Sequence, residues 1–441
     1  MRLRKAPFVW LLEKEWRELL SSRAWWVMLA LIGPLVGVSF ISAVRTYAEL
    51  SGYGGTAAGV GEAFSPLVGV WAPTFSACER AAAFLLPFVP IRVVAGDKQS
   101  GALKLEAQQP MPALWRVSAK ALVLIAGWLL ASAPALLAVL LWRGYGGSVY
   151  PPELVTIAFG HVLNAGLTIA IAAAAASLTD HPSTAAIVTL SVTVGTWILN
   201  FIAAVHGGVW ERAADYTPTA MVSQFQHGLV RLDVTLAALT LIASGLAVAA
   251  IWMRLGASPI RRGYESSIVA AVAVALLFAG GFATTSWDTS EGRINSLPEA
   301  DERALSGIHE PLRMEVHLAP EDPRRTDLEN KTLSKLRRAL PKLQVTYVSS
   351  TSTGLFEQTS AHYGEISYDL GGRRTSNRLT SADGVLETIF SLAGIAIPAE
   401  GDDAGFRGHP LAVPPRRAGA VFYGIWPASV IAFGLLVRRR Q

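Results

Sequence analysis

Six polar side chains inside long apolar stretches are the first candidates for a functional site. They are one carboxylate, one guanidinium, two carboxamides and two imidazoles, namely Glu79, Arg80, His161, Asn164, Asn200 and His206. Polar groups are costly inside a bilayer, so each should either bond to another helix or line a path for a transported molecule. Both interpretations stay open from the sequence.

The segment GDKQSG at 96–101 has the two glycines of a phosphate-binding loop. Such a loop needs Lys and then Ser or Thr directly after the second glycine, and Ala102 and Leu103 stand there instead. No other stretch of the sequence supplies this motif. We therefore expect that the chain neither binds nor hydrolyses ATP, and that it is not an enzyme by itself.

Redox and metal chemistry also lack a sequence pattern. The single cysteine, Cys78, lies in an apolar stretch and has no second cysteine with which to form a disulfide or a C-x-x-C motif. Four histidines of the polar C-terminal part are scattered rather than spaced as metal ligands: His309, His317, His362 and His409. We predict no catalytic residue, no metal and no cofactor in this chain.

The elements that carry these residues are those of a polytopic membrane protein, because 51% of the residues are hydrophobic and only 16% are charged. Apolar runs of roughly 20 residues, enough to cross a bilayer, lie near 24–45, 74–95, 119–142, 154–178, 184–206, 233–254, 265–286 and 419–437. The sequence thus predicts eight transmembrane α-helices. Gly33 and Gly37 form a GxxxG motif in the first, which indicates either a close helix contact or a dimer seam.

Basic residues cluster before the first span, in 92–120, in 254–262 and at 438–440. By the positive-inside rule these segments belong to the cytoplasm. Eight crossings then place both termini inside and residues 287–418 outside. We expect a multi-pass protein of the inner (cytoplasmic) membrane of a bacterium, whose basic residues report topology and not nucleic-acid binding.

Residues 1–23 predict an amphipathic helix in the cytoplasmic interface of the membrane. Its apolar stripe is Phe8, Leu12, Trp16 and Leu19, and the pairs Glu13–Arg17 and Lys14–Glu18 are spaced four apart on the other side. The helix is either a simple anchor or an elbow that also contacts a cytoplasmic partner.

Residues 287–400 predict a small extracytoplasmic α/β domain between the seventh and eighth spans. Alternating or helical periodicity indicates a strand at 312–318, a helix at 323–340, strands at 343–348 and 366–370, a hairpin turn at Gly371-Gly372, and a helix at 382–396. This βαβ-ββα order is compatible with a thioredoxin-like arrangement. Residues 401–418 are rich in Gly and Pro and are predicted to be a linker to the last span.

The connection after the second span resembles the cytoplasmic loop of ABC exporter membrane subunits of the type 2 permease class. The matching residues are Asp97, Ser100, Gly101, Leu103, Gln109, Pro110 and Lys120. A second match, ADYTPTAMVSQFQHGLVRLDV at 214–234, is similar to the outer segment of these permeases. The resemblance covers about 1–255 and implies a six-helix permease domain at 24–255.

In these permeases the loop, here 93–119, docks into the nucleotide-binding subunit, which implies an ATPase-coupling role for the matching residues Asp97, Ser100, Gly101, Leu103, Gln109 and Pro110. The resemblance also implies partners: two ATPase subunits that bind ATP and Mg, and a second permease copy or a paralogue.

The C-terminal part, about 265–437, is similar to the auxiliary extracytoplasmic component of gliding-motility-type ABC transporters. The similar residues are Asp288-Thr289, Ser296-Leu297, Glu310-Pro311 and Tyr363-Gly364. As in that component, a span lies at each end, at 264–286 and 419–437. The soluble part is shorter than usual and lacks a second domain.

Three functions follow as expectations. The chain is the permease subunit of an ABC exporter of an amphipathic lipid, peptide or natural product. Alternatively it is a mechanotransmitter that moves its outer domain and an extracytoplasmic partner while nothing crosses the bilayer. The alternative from another class is a membrane-anchored scaffold without an ATPase.

Overall fold

The structure is a computed structural model. It describes residues 7–52, 64–109, 111–206, 210, 214, 216–319, 322–340, 342–348, 362–398 and 408–440. The chain is mostly helical, with a small sheet region toward its C-terminus. It forms two compact units, a helical unit (Met1–Asn200, Arg212–Thr289 and Arg407–Gln441) and a sheet unit (Phe201–Glu211 and Ser290–Phe406).

Both units contain helices. In chain order they are α1 (Pro7–Ser21), α2 (Arg23–Gly52), α3 (Ala72–Phe84), α4 (Phe88–Ser100), α5 (Ala102–Glu106), α6 (Ala113–Ala131), α7 (Ala133–Gly144), α8 (Pro151–Leu178), α9 (Pro182–His206), α10 (Pro218–Gln226), α11 (Leu232–Trp252), α12 (Pro259–Gly280), α13 (Glu299–Ser306), α14 (Pro323–Leu328), α15 (Ser334–Ala339), α16 (Ala382–Ala393) and α17 (Trp426–Arg440). Three π-helical turns, Leu67–Trp71, Glu329–Leu333 and Ala420–Ile425, lead into α3, α15 and α17.

Seven helical segments among the described residues are long and apolar enough to cross a membrane: Arg23–Gly52, Ala113–Gly144, Pro151–Leu178, Pro182–Ala203, Leu232–Trp252, Pro259–Gly280 and Ala420–Val437. They correspond to seven of the eight predicted spans. The predicted span at 74–95 is instead divided, because α3 ends at Phe84 and α4 begins at Phe88. Pro87 and Pro90 lie at this break and cannot donate the backbone hydrogen bonds that a continuous helix needs.

The GxxxG motif of α2 contacts the last span of the same chain. A Cβ on Gly33 would overlap the Trp426 indole, and a Cβ on Gly37 would overlap the Phe422 side chain. Trp426 Nε1 also donates a hydrogen bond of 2.8 Å to the Leu29 carbonyl. The motif therefore serves a close helix contact within the chain, which the sequence had left open against a dimer seam.

A two-stranded ladder joins the ends of two spans in the helical unit. Strand β1 (Leu229–Arg231) directly precedes α11, and it pairs antiparallel with β2 (Ser286–Asp288), which follows α12. The next residue, Thr289, donates its backbone N–H to the Gly228 carbonyl at 2.8 Å. The chain is thus fastened to the helical unit up to the last residue before the sheet unit.

The segment that precedes the last span is fastened in the same way. The backbone N–H of Leu411 donates to Ser51 Oγ at 2.9 Å. The Tyr145 hydroxyl donates to the Arg416 carbonyl at 2.6 Å. The described part of the predicted linker, from residue 408 on, is therefore bonded to α2 and to the residue that follows α7.

The sheet unit contains four strands, β3 (Leu312–Val316), β4 (Leu343–Tyr347), β5 (Ile366–Leu370) and β6 (Arg373–Asn377). Their order in the sheet is β4-β3-β5-β6; β3 and β4 are parallel, and the other two pairs are antiparallel. Helices α14 and α15 connect β3 to β4, and α16 follows β6. This is the strand–helix–strand, hairpin and helix order predicted from the alternation.

The hairpin turn and the core of the sheet unit follow from the same pattern. Gly371 and Gly372 connect β5 to β6 with φ angles of 57° and 87°, a left-handed conformation that glycine adopts without strain. Alternate residues of β3 and β5 are buried against α16, whose Ile389 and Phe390 lie in the same core.

A buried charge cluster as the candidate functional site

Six ionisable side chains from four helices meet at one end of the helical unit. They are Lys14, Glu15 and Glu18 of α1, Asp97 of α4, Glu106 of α5 and Lys120 of α6. The N-terminal helix, the connection that follows α3 and the start of the α6–α7 span therefore share one set of ion pairs. We call these six residues the charge cluster.

Lys120 lies at the centre of the charge cluster and is 2% exposed. Its ammonium donates to Glu15 Oε1 at 2.6 Å and to an Asp97 carboxylate oxygen, and both of these carboxylates are equally buried. Three charges without contact to water are stable only if each keeps its partners, because desolvation costs several kcal/mol per ion. The positions of α1, α4 and α6 are therefore interdependent here.

Lys14 forms the second, more accessible half of the cluster. Its ammonium lies 3.0 Å from Glu15, 2.9 Å from Glu18 and 3.5 Å from Asp97, and it also pairs with Glu106 of α5. The Lys14–Glu18 pair is the one predicted from their spacing of four. Lys14 thus links α1 to both helices of the connection that follows α3.

Lys14 and Glu15, two members of the charge cluster that lie outside the membrane spans, have shifted pKa values. Burial alone would lower the pKa of Lys14, but the neighbouring carboxylates, with Glu15 foremost, leave it raised above its ordinary value. Burial raises the pKa of Glu15, and the ammonium groups of Lys120 and Lys14 offset part of this shift. The arrangement therefore keeps the Lys14 ammonium protonated.

The carboxylates of Glu15, Asp97 and Glu106 lie close enough to hold a cation, since one oxygen from each falls within 4.8 Å of the others. The ammonium groups of Lys14 and Lys120 already lie among these oxygens. The cluster is thus built as a set of ion pairs that joins helices.

Most of the predicted coupling residues lie next to this cluster, on α4, on α5 and in the turn between these two helices. Gly101 separates α4 from α5 with a φ of 77°, and Ser100 Oγ donates to the Gly96 carbonyl at 2.8 Å in the last turn of α4. Leu103 is buried in an apolar group with Val117 of α6. Asp97 belongs to the charge cluster, Gln109 is exposed at the end of the connection, and Pro110 lies outside the described residues.

Helix α5 has one buried face and one exposed face. Leu103 and Glu106 face the helical unit, whereas Leu105 is 68% exposed between the exposed Lys104 and the partly buried Glu106. Leu105 is therefore an apolar side chain at the surface of this connection, a few residues from the charge cluster.

Lys98 fixes the connection to a further span. Its ammonium donates to the carbonyl of Ser177 at 3.1 Å and also to those of Ala176 and Thr179, at the C-terminal end of α8. A cation is favourable there because the last carbonyls of a helix have no partner within the helix. Helix α4 is therefore held by α1, α6 and α8 together.

Sequence reasoning missed Glu15 and Glu106 as members of the cluster. It placed Phe8 and Leu12 on the buried stripe of α1, but the fully buried residues of this helix are Leu11, Glu15 and Leu19. The signal that could have identified Glu15 is its position four residues after one buried leucine and four before another.

Three of the candidate polar residues in the membrane helices bond to neighbouring helices. Gln226 of α10 lies 3.3 Å from His161 Nε2, and it also hydrogen-bonds to Glu79. Asn200 accepts a hydrogen bond of 2.9 Å from Thr217. Glu79, His161 and Asn200 thus have the interhelical contacts that the first interpretation expects, and the sequence analysis had not identified Gln226.

The other three candidate polar residues of the membrane helices are Arg80, Asn164 and His206. Arg80 is exposed and donates to Ser39 of α2 at 2.8 Å and to Ser76 at 3.1 Å. Asn164 is buried in α8, with 7% exposure. The side chain of His206 lies outside the described residues.

Comparison with known proteins leaves the family open. No protein-family model matches the chain, and no curated protein and no solved structure is significantly similar to it.

Proposed function

We propose that this chain is the membrane subunit of an ATP-driven ABC exporter of the type 2 permease class. The observation that carries the proposal is the charge cluster, which joins the N-terminal helix and α4–α5 to the start of a membrane span. A partner that pushes on α5 displaces α1, α4 and α6 as one body, because separating them would leave buried charges unpaired. Separate nucleotide-binding subunits, two by the family resemblance, hydrolyse the ATP.

The proposed topology has eight crossings, with α3 and the start of α4 as the second, both termini in the cytoplasm and residues 287–418 outside. Two contacts support it. Lys98 bonds to the end of α8 and lies in the field of Arg262, which precedes α12, so three predicted cytoplasmic connections are neighbours. Ser51 and Tyr145, at the other ends of their spans, bond to residues 411 and 416 on the predicted outer side.

The proposed cargo is an amphipathic lipid, peptide or natural product, and the chain acts as a dimer or with a paralogue. Among the described residues, many polar side chains of the spans are hydrogen-bonded within the protein: His161 bonds to Gln226, and the hydroxyls of Thr189 and Ser244 donate to backbone carbonyls of their own helices. Such spans suit a cargo with a large apolar part better than a hydrated ion.

The test is recovery of an ATP-binding subunit with the full chain from the native membrane. A crosslinker at Gln108 should capture this subunit, and Leu105→Asp should weaken the complex by at least about tenfold because it places a charge in the contact. Leu255→Asp is the matched control, since Leu255 is 50% exposed in a different cytoplasmic connection. Failure to recover an ATPase with any variant favours the scaffold function.

A second candidate function is mechanotransmission, and a specific observation favours it. Both segments that lead from the helical unit to the sheet unit are hydrogen-bonded to the helical unit, through the β1–β2 ladder and through Leu411 and Arg416. Movement of the spans is therefore passed to the described residues of both attachments, up to Thr289 on one side and from Leu411 on the other.

Removal of residues 290–406 distinguishes the two functions, because it leaves every one of these hydrogen bonds in place. If ATP-dependent accumulation of a cargo in vesicles survives the deletion, the mechanotransmitter is wrong. If the ATPase remains active while the process that depends on the outer domain stops, the exporter is wrong.

A further inference from the structure

A cleft of about 610 Å³ lies between the α1–α2 corner and α4 in the helical unit. Arg23, the first residue of α2, and Arg92 of α4 both line it. Among the described residues, neither guanidinium has an ion-pair or hydrogen-bond partner, and both side chains are exposed. Two unpaired arginines at one cleft form a site for an anion, and the planar guanidinium suits phosphate in particular.

Small polar groups complete the lining of the cleft. Ser22 is 8% exposed, and its Oγ has no hydrogen-bond partner among the described residues. Ser100 also lines the cleft, with its hydroxyl already donating to the Gly96 carbonyl. Glu18 is the one carboxylate in the lining, and its charge is engaged by Lys14 at 2.9 Å. The cleft therefore offers donors to an anion with little opposing negative charge.

Apolar residues continue from both arginines along the membrane helices. Val27 and Leu31 follow Arg23 by one and two turns of α2 and are 57% and 45% exposed. Phe88 precedes Arg92 by one turn of α4 and is 43% exposed. Residues four apart share a helix face, so each arginine stands above an exposed apolar strip.

We infer that this cleft holds the phosphate headgroup of an anionic phospholipid, whose acyl chains lie along Val27, Leu31 and Phe88. A free phosphate would use the arginines but not the apolar strips. A soluble protein would not reach residues inside the bilayer. An anionic lipid matches both halves of the site, and it would lie beside the α4 helix that carries Asp97. The inference does not depend on the proposed transport function.

The full chain in detergent micelles, titrated with phosphatidylglycerol, tests the site. Phosphatidylglycerol should bind and raise the thermal stability of the protein, and phosphatidylcholine and inorganic phosphate at the same concentration should not. The double variant Arg23→Gln/Arg92→Gln should weaken phosphatidylglycerol binding by about 30-fold, since each basic residue near an anionic lipid contributes about fivefold and the two factors multiply. Arg23→Lys/Arg92→Lys should retain most of the affinity.

Arg45→Gln is the matched control, because Arg45 is an exposed arginine at the other end of α2. It should leave phosphatidylglycerol binding unchanged. An equal loss with Arg45→Gln, or equal stabilisation by inorganic phosphate or phosphatidylcholine, overturns the inference. The inference is also overturned if Arg23→Gln/Arg92→Gln loses the ATPase subunit but keeps its affinity for phosphatidylglycerol. The cleft would then be the binding site of a protein partner.

A second measurement on the unmodified protein keeps the inference testable if the double variant does not fold. Phosphatidylglycerol with a photoreactive group in its acyl chain should label peptides that contain residues 23–31 and 88–92. Labelling that is no stronger there than on the exposed helix α12 contradicts the site.

Discussion

Replacing Lys120 by methionine should release α1 from the membrane helices. Lys120 is 2% exposed, and its ammonium is the partner shared by Glu15 and Asp97. Methionine keeps much of the side-chain length but removes the charge, which leaves these two buried carboxylates with Lys14 alone. Removing one partner of a buried ion pair costs about 3–5 kcal/mol, or a factor of about 10² to 4 × 10³ in the equilibrium between bound and released α1.

Hydrogen exchange of the backbone in α1, measured for the protein in nanodiscs, reports this equilibrium. In Lys120→Met the exchange rate over Pro7–Ser21 should rise by about 10²-fold or more. Arg17→Met is the control on the same helix, because Arg17 is 73% exposed and pairs only across the surface with Glu13. Such a pair contributes about 0–1 kcal/mol, so exchange should change by no more than about fivefold.

A neutral version of the cluster separates lost charge pairing from lost packing. Glu15→Gln/Asp97→Asn/Lys120→Met carries no unpaired charge at these three positions, and exchange should return most of the way toward the unmodified rate. If Lys120→Met exchanges no faster than Arg17→Met, the buried lysine does not hold α1. If the neutral version exchanges as fast as the single variant, the penalty comes from packing and the electrostatic reasoning is refuted.

Three further results are expected. Gly33→Leu should destabilise the protein by about 1–3 kcal/mol in thermal unfolding, because the new side chain overlaps Trp426. Gly195 faces open space, so the control Gly195→Leu should have little effect. Equal effects of the two variants would contradict the α2–α17 contact. The stability contributed by Lys14 should be fully present below pH 10.5, its ordinary pKa, and be lost as the pH rises through its raised pKa in the folded state, so Lys14→Met should flatten the alkaline part of the stability curve. An unchanged alkaline slope would count against that shift. Leu105→Asp should weaken ATPase binding while leaving thermal stability within about 0.5 kcal/mol, because Leu105 is 68% exposed; a folding defect would show that this residue packs within the chain.

The membrane helices and the small sheet follow from local patterns in the sequence. Hydropathy located seven of the eight predicted spans, and alternation located β3, β4 and β5, because both depend only on residues near one another in the chain. The short strands β1 and β2 were not predicted. The division of the segment at 74–95 into two helices is also local in origin. The hydropathy of this segment is that of a span, but Pro87 and Pro90 interrupt the backbone hydrogen bonds.

The face of α1 was harder to predict than the helix itself. A periodicity argument assigns charged residues to the surface, so Glu15 was not placed on the buried side. Its burial depends on Lys120, 105 residues further along the chain. A pattern read from neighbouring residues therefore cannot predict that Glu15 is buried.

The amino-acid sequence thus determines by itself that the chain belongs to the membrane, where most of its helices run and how its polar C-terminal part is ordered. These properties arise from the free energy of transferring short segments into the bilayer and from backbone preferences. The charge cluster, the contact of Gly33 with Trp426 and the meeting of Arg23 with Arg92 at one cleft were settled only when the helices packed. The first two depend on contacts between groups that are far apart in the chain, and the third on two helices that carry arginines 69 residues apart, so no short segment of the sequence contains them.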